Sequence, residues 1–330
     1  MNALCPLAIA CVLAGTLPVF GQTTPMPQPR SLAYVLQAEG LAVSREAAVQ
    51  RLADCGRDWI VLDVFFDGSA DGGYTAEEIG RIRDARRGRK VLAYLSIGEA
   101  EDYRPYWKRE WDADGDGRPD TNAPPWLAKE NPDWKGNYRV RYWNEDWQAI
   151  VFGLLDRMIR AGFDGAYLDT VDAFESFEYD PLVNDWIDHR RNAATGRTYR
   201  EDTIRWVCHL AEHARRRNPG FIIIPQNGAQ LLENPEYRAA ISGIGVEDLF
   251  TVGDRFQKRE HTRSVVGFLN RLNGEGKPVF VIEYGTKPAW VRASLLGARE
   301  NGYVLLVTDR ELKTLGRSGD GDGKENTRAQ

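Results

Sequence analysis

Gly162-Phe163-Asp164-Gly165-Ala166-Tyr167-Leu168-Asp169 decides the fold. Gly162 stands where a helix stops in a left-handed turn, a short apolar run follows, and a carboxylate closes it. This is a helix stop, a strand buried on both faces, and a polar strand tip. Working outward, the same reading gives strands over Leu32 to Gln37, Trp59 to Phe66, Lys90 to Ile97, Phe221 to Pro225, Ile241 to Glu247, Pro278 to Glu283 and Tyr303 to Thr308. Amphipathic runs fill the gaps. Thr75 with Glu78 and Thr198 with Glu201 have the spacing of capping boxes, and Gly56 is a second helix stop. Eight such βα units over about 285 residues predict an α/β protein, a (β/α)8 TIM barrel with a long Trp-rich insertion after strand three. A doubly wound open sheet is the competing architecture, and the chain lacks its Gly-rich phosphate turn.

The 330 residues carry 43 Lys and Arg against 48 Asp and Glu, a net charge of −5. With no basic face for phosphate contacts, a nucleic-acid partner is not expected. Residues Leu4 to Phe20 hold no charge and are too short and too Pro-interrupted for a membrane span, so 1–21 reads as a signal peptide cut after Gly21. A lipid anchor on Cys11 is a lesser alternative, because Ala8, Ile9 and Ala10 match a lipoprotein signal poorly. The expectation is a secreted chain, periplasmic or extracellular, with a Pro-rich linker at 22–30, one domain at 31–315 and a disordered tail at 316–330. Cys55 and Cys208 remain after cleavage. They are expected as buried free thiols, since they fall on helices that are not neighbours and a disulfide needs Cα atoms within about 7 Å.

Asp63, Glu99, Asp169, Glu247, Glu283 and Asp309 all fall at or just after predicted strand ends, the face on which barrel enzymes build their sites. Any one of them could cap a loop or pair with an arginine. Converging as a set, they incur desolvation and repulsion that chemistry or a cation usually explains. Glycoside hydrolysis needs two carboxyl groups, one ionised and one holding a proton, and Asp169 and Glu247 are the expected pair. Asp63, Glu99, Asp172, Glu283, Tyr94 and Asn227 are the expected substrate contacts. Histidine-based chemistry lacks residues, because the chain has 4 His and none at a strand tip. No phosphate loop, nucleophile elbow or dinucleotide fingerprint is present.

Between Gly98 and Trp147 lie Trp107, Trp111, Trp126, Trp134, Trp143 and Trp147, against 10 Trp in the whole chain. Two or three are expected in a satellite core and one or two in a cleft, where aromatic faces suit sugar rings. Within the same segment Asp112, Asp114, Asp116 and Asp120 follow the early spacing of a calcium loop, with Gly117 at position six and Ala123 in place of the bidentate Glu. The expectation is chemistry without a required cofactor, with a structural Ca²⁺ at these four residues weighed against a solvated acidic turn. His209-Leu210-Ala211-Glu212-His213 spells a zinc-protease motif, but on an outer helix without a third ligand.

Three blocks, Ser96 to Glu101, Gly136 to Trp143 and Gly162 to Asp172, are similar to glycoside hydrolase family 114, the endo-α-1,4-polygalactosaminidase group. The likeness runs from about Ser31 to Leu315, and the Trp-rich segment departs from the fungal members. The resemblance implies a (β/α)8 barrel cleaving α-1,4-linked galactosamine-containing polysaccharide. It also implies that the strand-four acid, Asp169, is the nucleophile and the strand-six acid, Glu247, the acid/base. The expected partner is therefore a polysaccharide substrate, with no membrane or protein partner. A noncatalytic glycan-binding barrel and a metal-dependent hydrolase are the rival readings.

Overall fold

The computed structural model describes residues 28–67, 72–253 and 255–318. The expected signal peptide and residues 319–330 of the expected tail lie outside the described residues. Five parallel strands form one sheet: β1 (Leu32–Val35), β2 (Trp59–Leu62), β3 (Lys90–Ser96), β4 (Gly165–Asp169) and β5 (Ile222–Pro225), hydrogen-bonded in that order. A second parallel set holds β6 (Ile244–Glu247), β7 (Val279–Glu283) and β8 (Val304–Val307). A parallel bridge, Gln226↔Gly245, joins the two. β4 coincides with its expected run, Gly165 to Asp169, and each of the other strands falls inside its expected run, trimmed at one or both ends.

The near-continuous apolar strands are explained by burial on two sides. Side chains alternate across a strand, and one set (Tyr34, Trp59, Leu92, Tyr167, Ile222, Phe280, Leu306) meets in a shared core contributed by both sheets. The other set (Ala33, Ile60, Val91, Ala166, Ile223, Val281) packs on helix residues such as Leu52, Ile79, Leu155 and Leu272. Both expected capping boxes form, at Thr75/Glu78 and Thr198/Glu201. Gly56 and Gly162 take φ +67° and +84°, a region that disfavours any residue with a Cβ.

Three expectations need correction. The tail does not lose structure at 316: Arg317–Ser318 pair antiparallel with β8, and Ser318 Oγ accepts from Leu32 N at 2.9 Å, tying β1 to that edge. The Trp-rich segment, expected as one long loop after strand three, holds regular structure. Glu99–Glu101, Trp134–Val140 and Leu127–Asn131 form a three-stranded antiparallel sheet, backed by Trp111, Trp126 and Trp147, whose rings meet at centroid distances of 5.3 and 5.0 Å. Cys55 and Cys208 are free, as expected, but half-buried.

Candidate active site

A cavity of about 890 Å³ opens at the C-terminal ends of the parallel strands. Asp63, Tyr94, Glu99, Asp169, Asp172, Asn227 and Glu247 all line it, together with Asn131, Trp134, Gln226, Tyr284 and Arg310. Eight Asp and Glu residues face it against two cationic ones, Lys135 and Arg310. Asp169 ends β4 and Glu247 ends β6. Behind the tips of β4, β5 and β6, Thr170, Asn227 and Asp248 take φ 55°, 62° and 51°, so the chain turns sharply after each polar tip. For a β-branched residue such as Thr170 that conformation is strained and must be held by its surroundings. Gly98 N donates to Thr170 Oγ1 at 2.9 Å and Ile97 N to Asp169 O at 3.1 Å. A Cβ on Gly98 would lie 2.3 Å from Thr170 O, so only glycine permits this approach.

Asp169 and Glu247 are both half-buried. Asp169 Oδ2 accepts from the Tyr94 hydroxyl at 2.8 Å, and Gln226 Nε2 lies 3.5 Å from Oδ1. Burial raises the Asp169 pKa, while the Thr170 N–H and the Tyr94 hydroxyl favour the ionised form. Burial pushes Glu247 up to about 7, and the Asp169 carboxylate adds to the rise. Against it, the Tyr284 hydroxyl donates to Glu247 Oε1. Asn227 fixes the backbone there: its Oδ1 accepts Glu247 N at 3.1 Å, and its N–H donates to Gly245 O at 2.8 Å. Of the two acids, Glu247 is therefore the one poised to hold a proton near neutrality.

The remaining acids divide by what their oxygens touch. Glu99, held by Asn131 Nδ2 at 2.8 Å, is raised to about 7 by burial, and Asp172 to about 8, again chiefly by burial. Asp63 lines the cavity, but Arg104 takes both of its oxygens, at 2.7 and 2.8 Å. Glu283 does not line the cavity: it is wholly buried, and its carboxylate accepts from Phe250 N at 2.7 Å, Thr251 N at 3.0 Å and the Thr251 hydroxyl. The expectation of a Glu283 substrate contact is thus corrected to a loop anchor. Asp309 likewise caps its own loop through Lys313 N and Thr314 N.

Sequence reasoning missed Tyr284, Gln226, Asn131 and Arg310. Tyr284 directly follows the tip of β7, where the strand-end rule could have found it had the rule not been confined to acids. Of the tryptophans, Trp134, 52 % exposed, reaches the cavity. In the acidic turn Asp112, Asp114 and Asp116 offer carboxylate oxygens within 4.8 Å of one another. Asp120 is not in that group; its Oδ2 accepts Ala113 N at 2.8 Å. Asp112 is engaged by the N–H groups of Gly115, Asp116 and Gly117 and by the Tyr138 hydroxyl. His213 bonds Asp156 at 2.7 Å and stacks on Phe152, a helix-packing role. Among the described residues no helix is long and apolar enough to cross a membrane.

Parallel strands under helices, with a pocket of carboxyl groups at the strand ends, define an α/β protein with a TIM-barrel-like fold whose site lies where barrel enzymes build theirs. The chain belongs to glycoside-hydrolase family GH114, whose model matches residues 57–324. It is 38% identical over 257 residues to an uncharacterized protein of Deinococcus radiodurans, covering 78% of this chain and 74% of that one. An uncharacterized protein of Methanocaldococcus jannaschii is 36% identical over 284 residues, covering 82% and 76%. Among solved structures, the glycoside hydrolase domain of PelA from Pseudomonas aeruginosa aligns with TM-score 0.59 at 20% identity, over 88% of this chain and 99% of that one. Aspergillus fumigatus Ega3 in complex with galactosamine aligns with TM-score 0.61 at 18% identity, over 92% and 100%.

Proposed function

We propose that the protein is a secreted endo-acting glycosidase of the α-1,4-polygalactosaminidase type, built on a closed (β/α)8 barrel. Asp169 attacks the anomeric carbon and Glu247 protonates the departing oxygen. Glu247 then takes a proton from the water that releases the glycosyl enzyme. The observation that carries this reading is the shared cavity in which the Asp169 carboxylate helps hold Glu247 up at about 7. Two carboxyl groups whose surroundings set their roles apart are what such chemistry requires. An acidic cavity favours a cationic amino sugar, whose ammonium group gains carboxylate partners, and the galactosamine bound by Ega3 supports that choice. Closure of the barrel is supported by the Gln226↔Gly245 bridge and by Ser318 between β1 and β8.

The test is release of reducing ends from de-N-acetylated α-1,4-galactosaminan. Asp169→Asn and Glu247→Gln are each expected to lower kcat by roughly 10³-fold or more while leaving polymer binding intact. Turnover unchanged in both variants overturns the assignment, and binding without turnover in the parent chain establishes the noncatalytic barrel instead. Double displacement predicts retention of anomeric configuration in the first product, read by proton NMR. Inversion would remove the covalent step.

A further inference from the structure

A second cavity of about 490 Å³ is lined by Arg139, Ser176, Tyr179, Asn184 and Trp186. Two chain segments connect it to the catalytic cavity. Asn137 lines the catalytic cavity and Arg139 the second. Both sit in the strand Trp134–Val140 two residues apart, hence on one face and about 7 Å along it. Ala173 lines the first cavity and Ser176 the second, and the Ser176 hydroxyl donates to Ala173 O at 2.8 Å. One chain of linked rings could therefore run from one cavity into the other.

The chemistry of the two cavities differs. The second has no carboxylate among its lining residues, and Arg139, whose cross-strand neighbour is Glu99 and whose charge favours the Glu99 carboxylate, carries its guanidinium to this wall. Its main apolar surface is Trp186, 62 % exposed on a hairpin made by Tyr179–Asp180 and Asp185–Trp186. The indole leans on its hairpin partner. It packs on Tyr179 at a centroid distance of 5.0 Å, the Tyr179 hydroxyl donates to Asn184 Oδ1 at 2.7 Å, and Trp186 N donates to Asp185 Oδ1 at 2.8 Å. An exposed indole flanked by amide and guanidinium donors and by hydroxyl oxygens that can accept matches the apolar face and polar rim of a sugar ring. Arg139 would repel a ring bearing an ammonium group.

We infer that Arg139, Tyr179 and Trp186 form an accessory glycan subsite that accepts an uncharged ring, such as an N-acetylated one, beside a catalytic cavity that accepts a cationic ring. This rests on the glycosidase reading and adds to it a preference for chains that mix the two kinds of residue.

The experiment uses the full chain carrying Asp169→Asn, titrated calorimetrically with α-1,4-galactosamine oligomers long enough to fill both cavities, one set partly N-acetylated and one fully de-N-acetylated. Adding Trp186→Ala is expected to weaken binding of the partly acetylated set about fivefold to tenfold, with Trp186→Tyr restoring most of it. Adding Arg139→Gln is expected to narrow the difference between the two sets. Unchanged affinity on Trp186→Ala, or equal loss for both sets, overturns the subsite. Should the parent chain release no reducing ends from any of these glycans, the glycosidase reading fails separately, and the calorimetric comparison still decides the subsite.

Discussion

The Glu247 carboxyl ordinarily titrates at 4.5 and is held at about 7 here, first by burial and then by Asp169. Between those two values the folded protein keeps a proton that the unfolded chain has released, so stability falls as pH rises across that window. Glu247→Gln removes the penalty. At pH 8 it is expected to stabilise the protein by on the order of 1–2 kcal/mol, discounted for the open side of the cavity. At pH 4 it is expected to change little. Thermal unfolding of both chains from pH 4 to 8 checks this, and a gain that is independent of pH would exclude the linkage. Catalysis follows the same proton. On the proposed mechanism, activity is expected to fall on the alkaline side as Glu247 ionises and on the acid side as Asp169 is protonated. Tyr284→Phe deletes a donor that favours the Glu247 carboxylate, so the alkaline limb of the pH profile is expected to move upward, with the acid limb unmoved.

Gly245 in β6 shows how tightly the strands are fitted beneath the site. A Cβ there would stand 1.8 Å from the Tyr167 hydroxyl of β4, which is buried and has no hydrogen-bond partner among the described residues. Gly245→Ala is expected to cost about 2–3 kcal/mol in chemical denaturation and to lower turnover through displaced Glu247. Tyr167→Phe alone should be close to neutral, and combined with Gly245→Ala it should recover part of the loss. Simple additivity of the two changes would show that the contact is not the cause. The same strands explain what was legible in the sequence. Burial on both faces leaves continuous apolar runs such as Ile222 to Ile224, and the polar tips stand out against them. Direction and partnership were not legible. Glu283 looks like its neighbours by position, yet its oxygens are taken by Phe250 and Thr251, 33 and 32 residues away. Asp63 is claimed by Arg104, 41 residues on. The Trp-rich hairpin escaped notice because its longest strand, Trp134–Val140, carries Lys, Gly, Asn and Arg among its aromatics and buries only part of one face.

Across the whole molecule, one hydroxyl bridges the first strand to the end of the described chain. Ser318 Oγ accepts from Leu32 N at 2.9 Å and donates to Leu305 O at 2.6 Å, while Arg57 donates to Gly316 O at 2.9 Å and Ser318 O at 3.1 Å. Ser318→Ala leaves two buried backbone groups short of a partner and is expected to lower stability by about 1–3 kcal/mol without altering KM. Equilibrium unfolding with parallel kinetics checks both halves, and a change in KM at unaltered stability would contradict this structural role. The contact spans 286 residues. At roughly 5–20 residues per second of synthesis, a nascent chain waits on the order of 15 to 60 s after Leu32 is made before its first strand can acquire this neighbour. Throughout that interval this flank of β1 lacks the hydroxyl that the folded chain supplies to Leu32 N.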